Sequence, residues 1–193
     1  MNYVTLFGGT VRGDSSISAS MRTINVGISD LPSDLKAVHE YWDALRGERM
    51  APSWSEFDLI SLPANLLPTT MVVDVYEPLE KSIFRYWGSN LTLIHGADMT
   101  SRHPYDLSPP EFGRQVLEDH RAVIEKRAPM GWHYSFLAVG GYMHSHTTIR
   151  LPLSNNGSNV NHILIVVDFS REALDLIRKT KQNFAEAMES GAE

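Results

Sequence analysis

The residue types best suited to chemistry in this chain are histidines. His144-Ser145-His146 places two imidazoles two residues apart in a stretch that reads as a strand, and alternate strand positions share a face. In the hairpin register derived below, His133 lies diagonally across on that same face. Three neutral imidazoles, His133, His144 and His146, could hold zinc, nickel or copper. No fourth ligand or carboxylate lies beside them in register, and the plainer reading is a polar outer sheet face or a pH-sensitive interface. His120 stands alone on the apolar side of a helix, where a histidine more often packs in a core or at its rim, hydrogen-bonded to backbone. Asp98 and Asp106 flank His103, and Asp119 precedes His120, but adjacent helical residues point away from one another. No nucleophile elbow, metalloprotease helix or phosphate loop is present. Gly8 to Gly13 (GGTVRG) has the wrong spacing for a dinucleotide loop.

The elements that must position these residues centre on Met130 to Phe169, which reads as three antiparallel strands: Met130–Val139, Tyr142–Leu153 and Val160–Phe169. Gly140-Gly141 and Asn156-Gly157 supply the positive φ values of tight turns. With Gly140 and Gly141 as a two-residue turn, Leu137 pairs with His144, Ser135 with His146 and His133 with Thr148. One face then carries Trp132, Tyr134, Phe136, Met143, Ser145, Thr147 and Ile149, and its aromatic content makes it the expected inner face. Ile163 to Val167 is apolar at every position, as expected of a central strand or one covered on both sides.

Before this meander, Ser33 caps an amphipathic helix over Asp34 to Arg46, with Leu35, Val38, Trp42 and Leu45 at helical spacing and Gly47 as the stop. Thr69–Glu77 and Ser82–Gly88 read as a hairpin. A short helix follows over Asn90 to His95, then a longer one over Pro110 to Lys126, with Phe112, Val116, His120, Val123 and Ile124 facing in. A last helix spans Arg171 to Met188. Residues 1–32 read as an extension, partly disordered or holding a short strand at Tyr3–Phe7. The order predicts an α+β fold: a five-stranded antiparallel sheet with the intervening helices on one face, a cavity between them, and flanking N- and C-terminal helices. The expected organisation is an extension over 1–32, a domain over 33–169 and a C-terminal helix over 170–193.

Composition bounds the function. The 193 residues are 42% hydrophobic and 21% charged, with a net charge of −6, values ordinary for a globular chain that buries a core. An acidic chain without a basic patch argues against nucleic-acid binding. There is no cysteine, which excludes disulfides, thiolate metal sites and cysteine nucleophiles. No apolar run approaches the roughly 18 residues of a membrane span, and the N-terminus lacks the basic start and apolar core of a secretory signal. The expected location is the cytoplasm.

The motifs Tyr41-Trp42, Leu45-Arg46-Gly47, Pro52-Ser53, Asp58 and Leu66-Leu67-Pro68, followed by Val72-Val73-Asp74-Val75, Phe84-Arg85-Tyr86, Gly88-Ser89, His95-Gly96-Ala97-Asp98-Met99-Thr100 and Tyr105-Asp106-Leu107, resemble the PAS-domain family, in particular the short single-PAS proteins typical of alphaproteobacteria. The resemblance covers Leu35 to Phe169. Trp87 departs from it, and Ser101 stands where the family often has glycine. The resemblance implies a sheet ordered 2-1-5-4-3 and a sensory or adaptor role in bacterial two-component or cell-cycle regulation. It implies a small ligand between helices and sheet, a signalling partner such as a histidine kinase, and a homodimer. No particular cofactor is indicated. In haem-binding relatives an axial histidine comes from a helix comparable to that of His120, and a flavin photosensor of the cysteine-adduct type is excluded by the missing cysteine. The expected pocket comprises Arg85, His120, Trp132, Tyr134, Phe136, Met143, Ser145, Thr147 and Ile149, although a filled core would need the same residues. The enzyme alternative is a cone-shaped α+β fold enclosing a His/Asp pair.

Overall fold

The computed structural model describes residues 21–137, 143–170 and 174–175, with side chains described except at 136, 137, 143 and 144. Among the described residues, three helices arise where the sequence predicts them. α1 (Ser33–Arg46) buries Leu35, Val38 and Trp42 on one face, each side chain contributing about 1.5–3 kcal/mol through burial. It stops at Gly47, whose φ of 56° is strained for any residue with a side chain. α2 (Ser89–His95) buries Leu91 and Ile94. α3 (Pro110–Lys126) begins on a proline, which lacks only an N–H that the first turn leaves unpaired anyway. It buries Phe112, Val116, Asp119, His120 and Val123.

Six strands, β1 (Met21–Val26), β2 (Thr70–Asp74), β3 (Ile83–Trp87), β4 (Met130–Leu137), β5 (Met143–Leu153) and β6 (His162–Phe169), form one antiparallel sheet in the order β1-β4-β5-β6-β2-β3. Counted from β2 and read from the β3 edge, the five expected strands run 2-1-5-4-3, the order that the PAS resemblance implies, with β1 added beyond β4. The sheet is therefore one strand wider than expected. β1 pairs with β4 from Met21↔Phe136 to Val26↔Gly131, inside the segment expected as an extension. Half of its side chains are exposed, so its alternation is too weak to mark a strand without the partner that completes it. The expected strand at Tyr3–Phe7 lies outside the described residues. So does the expected C-terminal helix, apart from Leu174 and Asp175.

Both faces of the sheet are covered. On the inner face, α2 and α3 pack against Val73, Phe84, Trp87, Trp132, Tyr134, Ile163, Ile165 and Val167. On the outer face, α1 and the segment through Phe57, Leu62 and Leu66 pack against Val72, Ile149, Leu151, Leu153, Leu164 and Val166. β6 thus sends odd-numbered residues to one core and even-numbered residues to the other, which is why Ile163 to Val167 is apolar throughout. Trp42 ties the layers to the sheet, its Nε1 donating to the carbonyl of Pro152 at 2.8 Å. The β3 edge is covered by residues 100–102: Phe84 N donates to Arg102 O (2.9 Å) and Ser101 N to Phe84 O (2.8 Å). Ser101 adopts φ 65° to do so, a left-handed conformation that glycine takes without strain.

The β4–β5 register differs from the expected one by a single residue. Leu137 lies opposite Met143, Tyr134 opposite His146, His133 opposite Thr147 and Trp132 opposite Thr148. The expected Gly140-Gly141 turn lies outside the described residues. A slip of one residue moves every side chain of one strand to the other face. The structure therefore corrects the expected inner set: Tyr134 shares its face with His146, Thr148 and Arg150, while Ser145, Thr147 and Ile149 face outward. Tertiary burial decides this, because β5 alternates Ile149, Leu151 and Leu153 into the outer core, a stronger constraint than a Gly-Gly pair. Among the described residues, no helix is long and apolar enough to cross a membrane.

Candidate ligand-binding site

The inner face of β4 and β5 carries a buried charged network under α3. Asp119 is the one acidic residue on the apolar stripe of α3, one turn from Val116 and Val123. Arg150 interrupts the otherwise uncharged run Ile149 to Leu153 on β5. Their side chains meet at 3.2 Å, each 3% exposed. Tyr134 joins them: its hydroxyl donates to Asp119 Oδ2 through a short bond and accepts from Arg150 Nη2 at 2.8 Å. Arg150 Nη1 donates to Thr148 Oγ1 at 3.0 Å, and Gln115 Nε2 donates to Asp119 Oδ1 at 2.9 Å. The guanidinium lies 4.6 Å from the centre of the Trp132 ring, a cation–π contact made in a desolvated place. Burial, above all, raises the pKa of the Tyr134 hydroxyl, so it remains a donor to the carboxylate.

Beside this network lies a cavity of about 30 Å³, lined by Trp87, His95, Phe112, Tyr134, His146, Thr148, Arg150 and Phe169 together with aliphatic side chains. The rings are in mutual contact. Tyr134 stacks on His146 at 5.1 Å, His146 meets Phe169 at 4.7 Å, and His95 lies between Trp87 (5.2 Å) and Phe112 (5.8 Å). Burial lowers the His146 pKa to about 3, with smaller contributions from His95, Arg150 and His133. His120 is held well below its ordinary value by the same cause. Among the described residues, neither ring nitrogen of His120 has a hydrogen-bond partner, and neither do Trp87 Nε1 and Arg150 Nε.

The space holds about two water molecules, whereas drug-sized pockets measure about 300–1,000 Å³. Neither a haem nor a flavin ring system fits, and His120 does not line the cavity. A larger space of about 480 Å³ opens on the surface beside His39, Trp42, Arg46 and Arg127. It is an open cleft in which Arg46 is already paired with Asp43 at 2.6 Å, and it lies apart from the buried network.

The expected pocket residues separate in the structure. Trp132, Tyr134 and His120 are buried on the inner side. Ile149 belongs to the outer core, Ser145 is exposed, and Thr147 faces outward with His133, whose Nδ1 lies 3.1 Å from its hydroxyl. Arg85 sits at the irregularity between β2 and β3, 44% exposed, with Nε 2.6 Å from Asp74. Phe136 and Met143 lie at the hairpin end, where side chains are not described. The expected metal trio is also divided: His133 and His146 occupy opposite faces, and the His144 side chain is outside the described set. Among the described residues, no three histidines or carboxylates are placed to share a metal ion.

The carboxylates of the enzyme alternative serve turns. Asp98 accepts from Thr100 N and Oγ1 at 2.8 and 2.7 Å, and Asp106 accepts from His103 N at 3.2 Å. His103 Nδ1 lies 3.0 Å from Ser82 O. His162 Nδ1 meets Asp74 at 2.8 Å, but its Nε2 faces Asn155 at 3.3 Å, so the pair braces the β5–β6 turn. Sequence reasoning missed Asp119, Arg150, Thr148, His95 and Trp87 as site residues. The available signals were a lone carboxylate on an apolar helix stripe and a lone arginine in an apolar strand.

No protein-family profile and no curated protein matches the chain. Among solved structures, an RNA-binding light-oxygen-voltage receptor is similar over 91% of this chain, at 12% identity and a TM-score of 0.44, and this chain spans 45% of that receptor. The dark structure of the blue-light photoreceptor Aureochrome1 LOV is similar over 67% of this chain and 94% of its own length, at 15% identity and a TM-score of 0.43. VqmA bound to DPO is similar over 57% of this chain and 55% of its own, at 14% identity and a TM-score of 0.44. Likeness at these levels says nothing of what this chain binds.

Proposed function

We propose that this chain is a PAS-type sensory or adaptor module that takes a small ligand into the space between α2, α3 and the sheet. It passes the change to a signalling protein, such as a histidine kinase of bacterial two-component or cell-cycle regulation, and acts as a homodimer in the cytoplasm. The observation that carries the ligand reading is the Arg150–Asp119–Tyr134 network in the wall of an otherwise apolar cavity. A buried ion pair pays heavily in desolvation, and hydrophobic replacements of such pairs are often neutral or stabilising by about 1–4 kcal/mol. Its presence at a cavity therefore favours a role in recognition over one in stability.

The same pair supplies a route for the response. Asp119 belongs to α3 and Arg150 to β5, so a ligand that alters the arginine's bonds alters the helix's hold on the sheet. The neighbours of Arg150 along β5, Ile149 and Leu151, contact the α1 layer on the far face. α1 already covers much of the outer face, which leaves the β1 end, where Ile24 is 62% exposed, as the more accessible part for a partner.

Native mass spectrometry of protein purified from its own host, with an absorption spectrum of the same sample, tests this function. A stoichiometric small molecule that disappears in Arg150→Met supports it. A ligand-free dimer, together with no response of the cavity side chains to any small molecule in solution, refutes the ligand reading.

A further inference from the structure

A second site lies apart from the buried network, in the cleft of about 480 Å³ between α1 and the connection from α3 to β4. One wall is His39, Trp42, Asp43 and Arg46, which share a face of α1 at spacings of three and four residues. The other is Arg127, Ala128 and Pro129, with Met50 beside them. We infer that this cleft binds a small carboxylate with a flat apolar body, the carboxylate on Arg127 and the body against Arg46 and Met50. The inference is independent of the ligand reading of the inner cavity.

Arg127 carries it. This residue ends α3 in the left-handed conformation, at φ 51° and ψ 38°, where glycine is the usual choice. Backbone strain of this kind, borne by a long charged residue, recurs at ligand-binding positions. Among the described residues the Arg127 guanidinium has no ion pair and no hydrogen bond, whereas Arg46 and Arg49 are each paired with a carboxylate. Its fork of donors is free for a carboxylate, which matches it in geometry.

Charge fixes the ligand as a monoanion. Arg46 is balanced by Asp43 at 2.6 Å. Burial, offset in part by Asp43, holds the pKa of His39 below its ordinary value, so the ring is mainly neutral at pH 7. One positive charge remains among the lining residues. A carboxylate neutralises it, whereas a phosphate dianion would leave a negative charge facing Asp43. The carbonyls at the end of α1 do not oppose an anion, because Arg49 donates to Leu45 O at 2.6 Å and to Arg46 O at 3.1 Å. Arg46 selects the body. Its Nε and Nη2 are engaged by Asp43, and its Nη1 donates to Arg49 O at 3.0 Å. What it offers a ligand is therefore the plane of its guanidinium, which covers the Trp42 ring at 5.3 Å on one side. The space falls within the about 300–1,000 Å³ of small-molecule pockets.

Three probes test the site: 2-naphthoate, its neutral amide 2-naphthamide, and acetate, a carboxylate without the body. Each is titrated into the full chain at pH 7 and followed by ¹H–¹⁵N NMR, the Trp42 indole signal being identified with Trp42→Phe. Naphthoate is expected to shift the Arg127 and Ala128 amides and the Trp42 indole, and to bind about tenfold more tightly than either other probe. Arg127→Gly suits the left-handed backbone, so it should keep or raise the thermal midpoint. It should also weaken naphthoate about tenfold and leave naphthamide unchanged. Arg127→Gln, which keeps a side chain on the same backbone, should give the same loss. Asp43→Asn removes the carboxylate of the cleft and should tighten naphthoate severalfold. The site is overturned if naphthoate moves none of these signals, or if naphthamide or acetate binds as tightly. Naphthoate affinity indifferent to both Arg127 variants, or to Asp43→Asn, overturns it as well.

Discussion

Acidification should destabilise this fold, and His146 is the residue through which that effect is best measured. In the folded chain its pKa is lowered to about 3 from 6.5, chiefly by burial. The unfolded chain binds a proton near 6.5, so between the two values the unfolded state holds more protons than the folded one. Stability from this group is complete above pH 6.5 and is lost as pH falls towards 3, at about 1.4 kcal/mol per unit. At pH 5 the loss is about 2 kcal/mol, a sizeable share of the roughly 5–15 kcal/mol that holds a domain together. His120 adds to it in the same direction, being fully buried and likewise lowered by desolvation. The assay is urea unfolding of the wild type and His146→Phe at pH 7.5 and 5.0. Phenylalanine keeps a ring against Tyr134 and Phe169 and cannot titrate, so the stability lost between the two pH values should shrink by about 2 kcal/mol in the variant. An equal loss in both proteins would refute the reasoning, because it would mean that His146 is solvated or partnered well enough to charge in place.

Removing one member of the Asp119–Arg150 pair strands the other. Asp119→Ala should cost about 3–5 kcal/mol, and Asp119→Leu combined with Arg150→Met should recover most of that in chemical unfolding; additive single and double effects would argue against a coupled pair. Gly88→Ala would place a Cβ 2.3 Å from the carbonyl oxygen of Pro68, a backbone atom, so a loss of about 1–3 kcal/mol is expected, read as a lower thermal midpoint. Trp42→Phe removes the buried bond to Pro152 O and leaves that carbonyl short of a partner. A loss of about 1–3 kcal/mol is expected, with faster amide exchange in α1, whereas unchanged exchange would show that apolar packing alone holds the helix.

Much of the architecture was legible because it rests on local signals. Leu35, Val38 and Trp42 sit at helical spacing, Pro110 begins α3 where the sequence places it, and Gly47 and Gly96 end their helices in conformations that residues with a Cβ adopt only under strain. The doubly apolar run from Ile163 to Val167 announced a strand covered on both faces, and β6 is one. β1 was not legible, because a half-exposed edge strand carries little pattern of its own and exists through its pairing with β4.

The candidate site depended on something no local signal supplies. Gly140-Gly141 suggested a two-residue turn, and the register that follows from it puts Ser145, Thr147 and Ile149 inside and gathers His133 and His146 on one face. The actual pairing is shifted by one residue, and that shift turns Arg150 and His146 towards α3 and sends Ile149 to the outer core. Residue types and their spacing determined the three described helices, most of the described strands, their order and the exclusion of thiol chemistry. The choice of face on β5, and with it the meeting of Asp119, Tyr134 and Arg150, was decided by tertiary packing. In a strand of period two, either face can be the buried one until a second layer covers it.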